Sequence, residues 1–243
     1  MISQQRAPAK LNLELRVIGL RPDGTHEVET LLQAIDLADH LSITPAPEST
    51  LVIEGGFPVP HGPDNLVLRA AAEIGLTARF VLGKSIPPGA GLGGGSSDAA
   101  AVLRASGRPI ADLAAVGARL GADVPFFLRG GRARATARGE VLEPMTVEPG
   151  WFALAWPGYQ VSTAAVYQAW DRVGGEGRNH LFRAACAVEP RLVEFAAKLG
   201  EGWVMTGSGS AFFKEAATEA EARGLVAGKE CWTAVAAALD AWG

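Results

Sequence analysis

Five glycines within seven residues constrain the fold of this chain more than any other feature. The segment reads Gly89-Ala90-Gly91-Leu92-Gly93-Gly94-Gly95-Ser96-Ser97-Asp98. Glycine tolerates positive φ and lets the backbone approach a ligand closely, so consecutive N–H groups can wrap around an anion. An alanine-rich helix is predicted to open at Ser96, Ser97 or Asp98, with the positive end of its dipole facing the same point. The segment therefore predicts a loop that binds the β- and γ-phosphates of a nucleotide.

Other glycine-rich patterns fit this segment less well. It is not a Walker A loop, because no Lys-Ser or Lys-Thr pair follows the glycines, and it lacks the acidic residue of a dinucleotide-binding fingerprint. A flexible Gly/Ser linker is the remaining alternative. A linker would not normally run into an uninterrupted alanine-rich helix, so we favour the phosphate loop.

The net charge and the composition indicate which classes of partner this chain can bind. The 243 residues carry a net charge of −4, with basic residues concentrated only in the short stretch GGRARATAR. Because a nucleic-acid-binding surface needs a basic face, we expect no nucleic-acid partner. The length fits one large domain or two small ones, and the 48% hydrophobic fraction is enough for a sizeable core.

The cysteines and the apolar runs predict the compartment. Cys186 and Cys231 are isolated and have no metal-ligand spacing, as expected for reduced thiols. The first residues contain no apolar signal region, and no run approaches the ~20 apolar residues of a membrane span. We therefore expect a soluble cytoplasmic protein without a membrane partner, acting as a monomer or weak homodimer.

Strands and helices alternate in a pattern that predicts an α+β protein. AKLNLELRVIG alternates apolar and polar residues like a half-buried strand, and HEVETLLQAI, LSITPA and TLVIEG are three further short strand candidates. Residues 65–76, IADLAAVGARLG, STAAVYQAW, PRLVEFAAKLG and TEAEARGLVAG are predicted helices. The proline-containing segment Glu143–Pro149 is the predicted boundary, which gives domains at 1–146 and 147–243.

Three segments together resemble the GHMP kinases. PPGAGLGGGSSDAAA matches the second motif of that superfamily, and APAKLNL (7–13) and MTGSGSAFF (205–213) match its first and third motifs in the same order. The resemblance implies an ATP-dependent small-molecule kinase with two domains. The N-terminal domain would have the ribosomal-protein-S5-domain-2-like fold and the C-terminal domain a ferredoxin-like fold, with the substrates in the cleft between them.

Seven sequence segments together resemble one subfamily of these kinases. PAKLNL, DGTHEVETL, LADHL, DNLVLRAA, GAGLGGGSSDAAA, LGADVPFF and TGSGSAFF are similar to the kinases that phosphorylate the 2-hydroxyl of 4-diphosphocytidyl-2-C-methyl-D-erythritol in non-mevalonate isoprenoid biosynthesis. The implied substrate is a small molecule linked to cytidine diphosphate. The alternatives are another GHMP kinase of the homoserine or mevalonate type, or a catalytically degenerate nucleotide-binding relative.

Two residues are the candidates for catalysis. From residue types alone, Asp123 in LGADVPFF is more often a turn or cap aspartate, and Lys10 a lysine on the solvent face of a strand. The resemblance reverses both interpretations. It implies that Asp123 removes the proton of the acceptor hydroxyl, and that Lys10 keeps this carboxylate ionised and orients the hydroxyl.

The resemblance also implies the residues that bind ATP and Mg²⁺. The nucleotide pocket would be lined by Asn65, Leu66, Lys84, Pro88, Gly89, Ala90, Gly91, Leu92, Gly93, Gly94, Gly95, Ser96 and Ser97. Ser97 is the candidate hydroxyl near Mg²⁺ or the phosphates, with Ser96 as the alternative. From the residues alone, Ser97 is equally well a helix N-cap, and Asn65 is also a cap candidate.

The implied acceptor pocket departs from the family in its aromatic residues. Its candidates are Asn12, Thr25, His26, Leu32, Thr163, Tyr167, Gly207 and Ser208. His26 stands where the family reads the cytosine edge, while Thr25 and Leu32 replace aromatic residues and Tyr167 retains one. We expect the lost aromatic faces to weaken cytosine binding by ~1 kcal/mol or more. On spacing alone, the glycines at 207 and 209 are also typical of a tight turn between strands.

Overall fold

The computed structural model describes residues 3–242, which form two β-sheets with helices packed against them. The strands are β1 (Ser3–Leu20), β2 (His26–Pro45), β3 (Thr50–Gly55), β4 (Ala78–Lys84), β5 (Arg132–Thr136), β6 (Val141–Met145), β7 (Trp151–Trp156), β8 (Val204–Met205), β9 (Phe212–Ala216) and β10 (Trp232–Ala237). The helices are α1 (Leu66–Glu73), α2 (Gly94–Ala105), α3 (Ile110–Leu120), α4 (Val124–Arg129), α5 (Thr163–Val173), α6 (Phe182–Val188), α7 (Arg191–Leu199) and α8 (Glu219–Val226). The predicted α+β class is confirmed.

In the first sheet, two of the strands predicted from the sequence form a single long strand. Its order is β3-β4-β2-β5-β6, with β1 paired antiparallel to β2. HEVETLLQAI and LSITPA both belong to β2, a single 20-residue strand. The acidic residues between them do not interrupt the strand because each has a partner. Asp36 accepts a hydrogen bond from Ala237 N at 2.8 Å, and buried Asp39 binds Lys84.

Helix α2 starts earlier than predicted. It begins at Gly94, after Gly93 at a left-handed φ of 74°. Ser97 N donates to Gly93 O at 2.9 Å, so Ser97 lies in the first turn and is not the N-cap. The prediction of an opening at Ser96, Ser97 or Asp98 was wrong, because serine and aspartate are common caps whereas here glycine supplies the turn.

Short side chains let α2 pack closely on the first sheet. Ala99, Ala100 and Ala101 are fully buried in the core cluster that also contains Phe80 and Phe126. This packing fixes the glycine loop at the N-terminal end of α2 relative to β1. No helix within residues 3–242 combines the length and apolar character needed to cross a membrane.

The second sheet has the connectivity of a ferredoxin-like fold. Its order is β10-β7-β9-β8, and the intervening helices give the chain order β, helices, β, β, helix, β. Apolar residues bury both faces of β7, whose burial pattern is nearly continuous. The last residues return to the first half, where Leu239 N donates to Ala34 O at 2.9 Å. We propose that the domains divide at 146/147, between β6 and β7.

Candidate active site

A cleft of about 550 Å³ receives side chains from both halves of the chain. Lys10, Asp123 and the glycine loop line it from the first half, and Tyr167 and Ser208 from the second. Its volume lies within the usual range of small-molecule sites. The cleft is therefore large enough for a small-molecule ligand.

The glycine loop is shaped by close backbone contacts. Gly89, Gly91 and Gly93 have φ of 61°, 78° and 74°. A Cβ at Gly91 would lie 2.2 Å from Thr206 O, and one at Gly93 would lie 2.7 Å from the Phe127 ring. A side chain at either position would clash, so these glycines are required by the turn and by the close approach of neighbouring segments.

The three motifs meet through backbone hydrogen bonds. Lys10 N on β1 donates to Leu92 O of the glycine loop at 3.0 Å. Ala211 N, at the end of the third motif, donates to Ala90 O at 3.0 Å. Asn12 N donates to Thr206 Oγ1 at 2.9 Å, which joins β1 to the third motif. Segments far apart in sequence thus form one site.

Lys10 is buried beside the glycine loop and faces Asp123. Its Nζ donates to Asn12 Oδ1 at 2.5 Å and to Gly91 O at 2.7 Å, and lies 3.9 Å from Asp123 Oδ2. Burial lowers the pKa of Lys10, and the charge of Asp123 partly offsets this. Asp123 precedes α4, makes no capping hydrogen bond through its side chain, and is 37% exposed. Its carboxylate is therefore free to meet a ligand.

Thr30 fixes the orientation of Asn12, and thereby of Lys10. Thr30 Oγ1 donates to Glu14 O and accepts from Asn12 Nδ2 at 2.8 Å. Because the single hydroxyl proton is used on Glu14 O, Thr30 can only accept from Asn12. The amide nitrogen of Asn12 must then face Thr30, which directs Oδ1 to the Lys10 ammonium.

A buried ion cluster lies below the loop. Lys84 Nζ binds Asp39 Oδ2 and donates to Asp98 Oδ2 at 2.9 Å, and Asp39 Oδ1 accepts from Ser85 N and Ile86 N at 2.6 and 2.9 Å. Burial raises the pKa of Asp98 to about 7; attraction to Lys84 opposes this rise, and a smaller repulsion from Asp39 adds to it. Burial alone would lower the pKa of Lys84, but the two carboxylates raise it.

His26 belongs to an aromatic cluster that the sequence did not predict. Its ring stacks on Tyr167 with centroids 4.9 Å apart and meets the edge of Trp170, while Nε2 lies 2.7 Å from Asp171 Oδ1. Burial, with a smaller effect of Asp123, raises the pKa of Tyr167 to about 12. The three α5 residues are spaced i, i+3 and i+4, which is the signal that could have identified them.

The third motif is held by side chains of the second half. Thr163 Oγ1 and Ser208 Oγ lie 2.8 Å apart. Asn179 Nδ2 donates to Met205 O and Gly207 O at 2.6 and 2.9 Å. These bonds hold the loop in a fixed conformation where it borders the cleft.

Most predicted site residues line the cleft, but five do not. Those that line it are Lys10, Asn12, Asn65, Leu66, Lys84, Pro88, Gly89, Ala90, Gly91, Gly93, Gly94, Gly95, Ser96, Asp123, Thr163, Tyr167, Gly207 and Ser208. Leu32, Leu92 and Ser97 are buried in the interior. Leu32 therefore offers no surface to a cytosine, which corrects its assignment. Thr25 and His26 lie at the β1–β2 hairpin turn, and His26 touches the cleft wall through Tyr167.

Sequence reasoning also missed residues that contribute to the cleft. Thr30, Leu15, Val28 and Arg138 line it, while Asp39 supports Lys84 from below. Asp39 lies in LADHL and Thr30 in DGTHEVETL, and the resemblance of these two segments to the family is the signal that could have identified them. Arg138 had no local signal beyond its position in the basic stretch.

The oxygen donors near the loop suit a hard cation. Ser97 Oγ and Asp98 Oδ1 are buried with no hydrogen-bond partner in the described part of the chain. No group of three or more His, Cys, Asp or Glu within residues 3–242 could hold a metal ion. Mg²⁺ commonly takes only one or two protein ligands and fills its shell with phosphate oxygens and water. The residues present therefore fit Mg²⁺ only as a partner of bound phosphates.

Known proteins resemble this chain over most of its length. Residues 65–131 match the family described as GHMP kinases N terminal domain. The chain is 37% identical over 259 positions to the 4-diphosphocytidyl-2-C-methyl-D-erythritol kinase of Moorella thermoacetica, covering 89% of this chain and 91% of that one. The protein of the same name from Geobacter metallireducens is 39% identical over 255 positions, with 90% and 91% covered.

Solved structures give the same picture at the level of the fold. A crystal structure of 4-(cytidine 5'-diphospho)-2C-methyl-D-erythritol kinase superposes with a TM-score of 0.77 and 37% identity, covering 96% of this chain and 99% of that one. A homoserine kinase from Cytophaga hutchinsonii gives a TM-score of 0.65 at 16% identity, covering 99% and 95%. The second likeness concerns the fold alone.

Proposed function

Since the chain belongs to the 4-diphosphocytidyl-2-C-methyl-D-erythritol kinases of the GHMP superfamily, we propose that it phosphorylates the 2-hydroxyl of that cytidine-diphosphate-linked alcohol. As a member of this family, the chain is an ATP-dependent small-molecule kinase. The reaction would serve non-mevalonate isoprenoid precursor biosynthesis. The observation that carries the proposal is the meeting of Lys10 and Asp123 at the rim of the glycine loop.

The donor nucleotide is proposed to bind along the glycine loop. Residues 89–96 would hold its phosphates with backbone N–H groups, helped by the N-terminal end of α2, while Pro88 would line the pocket beside them. Asn65 and Leu66, at the start of α1 on the same cleft, would contact its nucleoside. The buried cluster around Lys84 would support the loop from below.

Asp123 is proposed to take the proton of the acceptor hydroxyl. Phosphoryl transfer depends mainly on positioning and charge stabilisation, and a carboxylate near the hydroxyl assists the attack. The half-exposed Asp123 carboxylate faces the cleft and lies 3.9 Å from the Lys10 ammonium. The remaining N–H of Lys10 would point at the transferred phosphoryl group or the acceptor oxygen.

The acceptor is proposed to lie between the β1–β2 hairpin and α5. Tyr167, stacked on His26, would form one wall of the cytosine pocket, with Thr25 at its entrance. Asn12, Thr163, Gly207 and Ser208 would surround the alcohol end of the substrate. The Thr163–Ser208 hydrogen bond supports this arrangement because it fixes the third motif on the acceptor side.

Mg²⁺ is proposed to accompany the ATP phosphates. Ser97 remains the candidate ligand because its buried hydroxyl has no partner within residues 3–242, while Ser96, which lines the cleft, is the alternative. When bound, the ion would neutralise charge on the β- and γ-phosphates. The chain itself would orient the phosphates and exclude water from them.

We also propose a setting for the enzyme. Both cysteines, Cys186 and Cys231, are free thiols, in line with a reducing cytoplasm. The net charge of −4 supports the absence of a nucleic-acid partner. Both halves of the chain contribute residues to the cleft. One chain therefore supplies both walls, so a monomer or weak homodimer would suffice for activity.

A coupled ADP-release assay tests the proposed function. The purified chain is assayed with Mg·ATP and, separately, with the cytidine-linked alcohol, homoserine and mevalonate. We expect kcat/KM for the first to exceed the others by more than ~100-fold, because a site that hydrogen-bonds its substrate rejects molecules lacking those groups. Phosphorus NMR of the product should place the new phosphate on the 2-hydroxyl.

Two results would reject this function. Preference for homoserine or mevalonate would make the chain another GHMP kinase. Binding of an ATP analogue without turnover of any acceptor would make it a degenerate relative. Asp123→Asn is the control for binding without catalysis. This variant should bind the ATP analogue like the wild type but phosphorylate the acceptor poorly.

A further inference from the structure

Three cationic side chains line the main cleft, namely Lys10, Lys84 and Arg138. Lys10 and Lys84 are buried, and their ammonium groups are already bound to protein oxygens. Arg138 differs because its side chain is 43% exposed. Of the three, it is the cation with the most exposed side chain.

The turn between β5 and β6 holds Arg138 beside the catalytic aspartate. Val28 N donates to Ala137 O at 2.7 Å, which ties the turn to β2. A Cβ built on Gly139 would lie 4.0 Å from Ala122 Cβ, so the turn packs against the residue before Asp123. Arg138 therefore lines the cleft near Val28 and near Ala122, the residue before Asp123.

Glu140 orients the guanidinium of Arg138. One carboxylate oxygen accepts from Arg138 Nε at 3.2 Å, and the other accepts from Arg138 N at 2.8 Å. The two terminal nitrogens have no hydrogen-bond partner within residues 3–242. Their N–H groups form the fork that matches two oxygens of a phosphate. The side chain is thus held in place with its ligand-binding edge free.

Arg138 also lies near the hairpin turn. Hydrogen bonds from Thr25 lower the pKa of Asp23, and the charges of Arg21 and Arg138 add to this effect. Asp23 and Thr25 belong to the turn where the cytosine end of the acceptor is proposed to bind. The hydrogen bond from Val28 N to Ala137 O joins the turn of Arg138 to β2 two residues after His26, so Arg138 lies close to both the hairpin and the Ala122–Asp123 segment.

We propose that Arg138 binds the diphosphate of the acceptor substrate. The inference rests on the proposed function, which puts the reacting alcohol at Asp123 and the cytosine at the hairpin. In a cytidine-diphosphate-linked alcohol, the diphosphate joins these two ends and must lie between them. A guanidinium at that position would neutralise the diphosphate and fix the distance between cytosine and alcohol.

The phosphates of ATP are the other source of the same chemistry. They are proposed to bind at the glycine loop, where backbone N–H groups and Lys10 provide the donors. The experiment must therefore separate the acceptor diphosphate from the donor phosphates. Measuring acceptor fragments while a non-hydrolysable ATP analogue saturates the donor site achieves this.

Calorimetry with cytidine and CDP tests the inference. The titrations use the wild type and Arg138→Gln with Mg²⁺ and the saturating ATP analogue. We expect Arg138→Gln to weaken CDP binding about 10- to 100-fold, the usual effect of losing a hydrogen bond to a charged group. Cytidine binding should stay within about 2-fold of the wild type, because it carries no phosphate.

Arg134→Gln is the matched control. Arg134 is exposed on β5 and paired with Glu29, and it does not line the cleft, so this variant removes the same charge outside the site. It should bind CDP like the wild type. In turnover assays, Arg138→Gln should raise KM for the cytidine-linked alcohol more than it lowers kcat, while KM for ATP stays constant.

Several outcomes would overturn the inference. They are equal loss of cytidine and CDP binding, an equal effect of Arg134→Gln, weakened binding of the ATP analogue instead of CDP, or no measurable CDP binding by the wild type. The proposed function is tested separately, by turnover of the cytidine-linked alcohol by the wild type. If the wild type turns over the cytidine-linked alcohol and Arg138→Gln has the same KM for it, the role of Arg138 is rejected while the proposed function stands.

Discussion

The Lys10 ammonium lies 3.9 Å from the Asp123 carboxylate, too far for a hydrogen bond and close enough for an ion pair. Two of the three N–H groups of Lys10 are used on Asn12 and Gly91. The separation leaves room for an acceptor oxygen to bind both groups when the cleft is filled. Lys10 belongs to the first motif and Asp123 to a later segment, so only the fold brings them together.

Removal of either group should abolish most of the turnover. We expect Lys10→Ala and Asp123→Ala each to lower kcat by at least ~100-fold, the scale of general-base and charge contributions. Because Asp123 is half-exposed, the thermal unfolding temperature of its variant should stay close to that of the wild type. Steady-state assays and differential scanning calorimetry measure both. Near-normal turnover by either folded variant would contradict the assignment.

Thr30 should matter through its hydroxyl group. Thr30→Val keeps the shape but removes the acceptor that orients Asn12, so Lys10 loses a fixed partner. We expect kcat to fall roughly 10-fold, which corresponds to about 1.4 kcal/mol. Thr30→Ser retains the hydroxyl and should restore most of the rate. If both variants lose activity equally, Thr30 acts through packing and not through Asn12.

Local patterns predicted most elements, but not those that depend on distant partners. Alternation and apolar spacing identified the region of β1 and helices such as α3, because their signals lie within one segment. The continuity of β2 depends on Asp39 meeting Lys84, 45 positions away. The start of α2 depends on the left-handed Gly93, which no capping pattern reveals.

The site was predictable where a motif carries it. The glycine loop, Lys10 and Asp123 lie in segments that resemble the GHMP kinases, and the structure brings them to one cleft. Arg138 could not be predicted, since its position follows from a turn that packs on other segments. Asp171 shares a helix face with Tyr167, and only that spacing pointed to it. Leu32 was assigned to the acceptor pocket by resemblance, but the inward face of β2 buries it in the core.

Lys10 should lose its proton at a lower pH than an ordinary lysine. Burial disfavours its ammonium form and lowers its pKa below 10.5, while the Asp123 carboxylate stabilises that form and opposes the shift. Asp123→Asn should therefore lower the pKa of Lys10 further. NMR titration of ¹³Cε-labelled lysine, with the Lys10 signal assigned through Lys10→Met, measures both values.

The direction in which the pKa of Lys10 changes in Asp123→Asn shows whether Asp123 acts as its counter-charge. If the Lys10 pKa rises in Asp123→Asn, the carboxylate does not act as its counter-charge. A pKa at or above 10.5 in the wild type would show that burial does not dominate.

Asn179 should control the acceptor side through the third motif. Its amide nitrogen donates to Met205 O and Gly207 O, and its Oδ1 accepts from Leu181 N at 2.9 Å. Asn179→Ala leaves these buried groups without partners, which typically costs about 1–3 kcal/mol for each unsatisfied group. Asn179→Asp keeps one acceptor but sets a carboxylate oxygen against two carbonyls, so it should destabilise the chain at least as much. Urea unfolding compares the two, and KM for the acceptor should rise in both while KM for ATP does not. An aspartate variant as stable as the wild type would show that Asn179 does not hold this loop through its amide nitrogen.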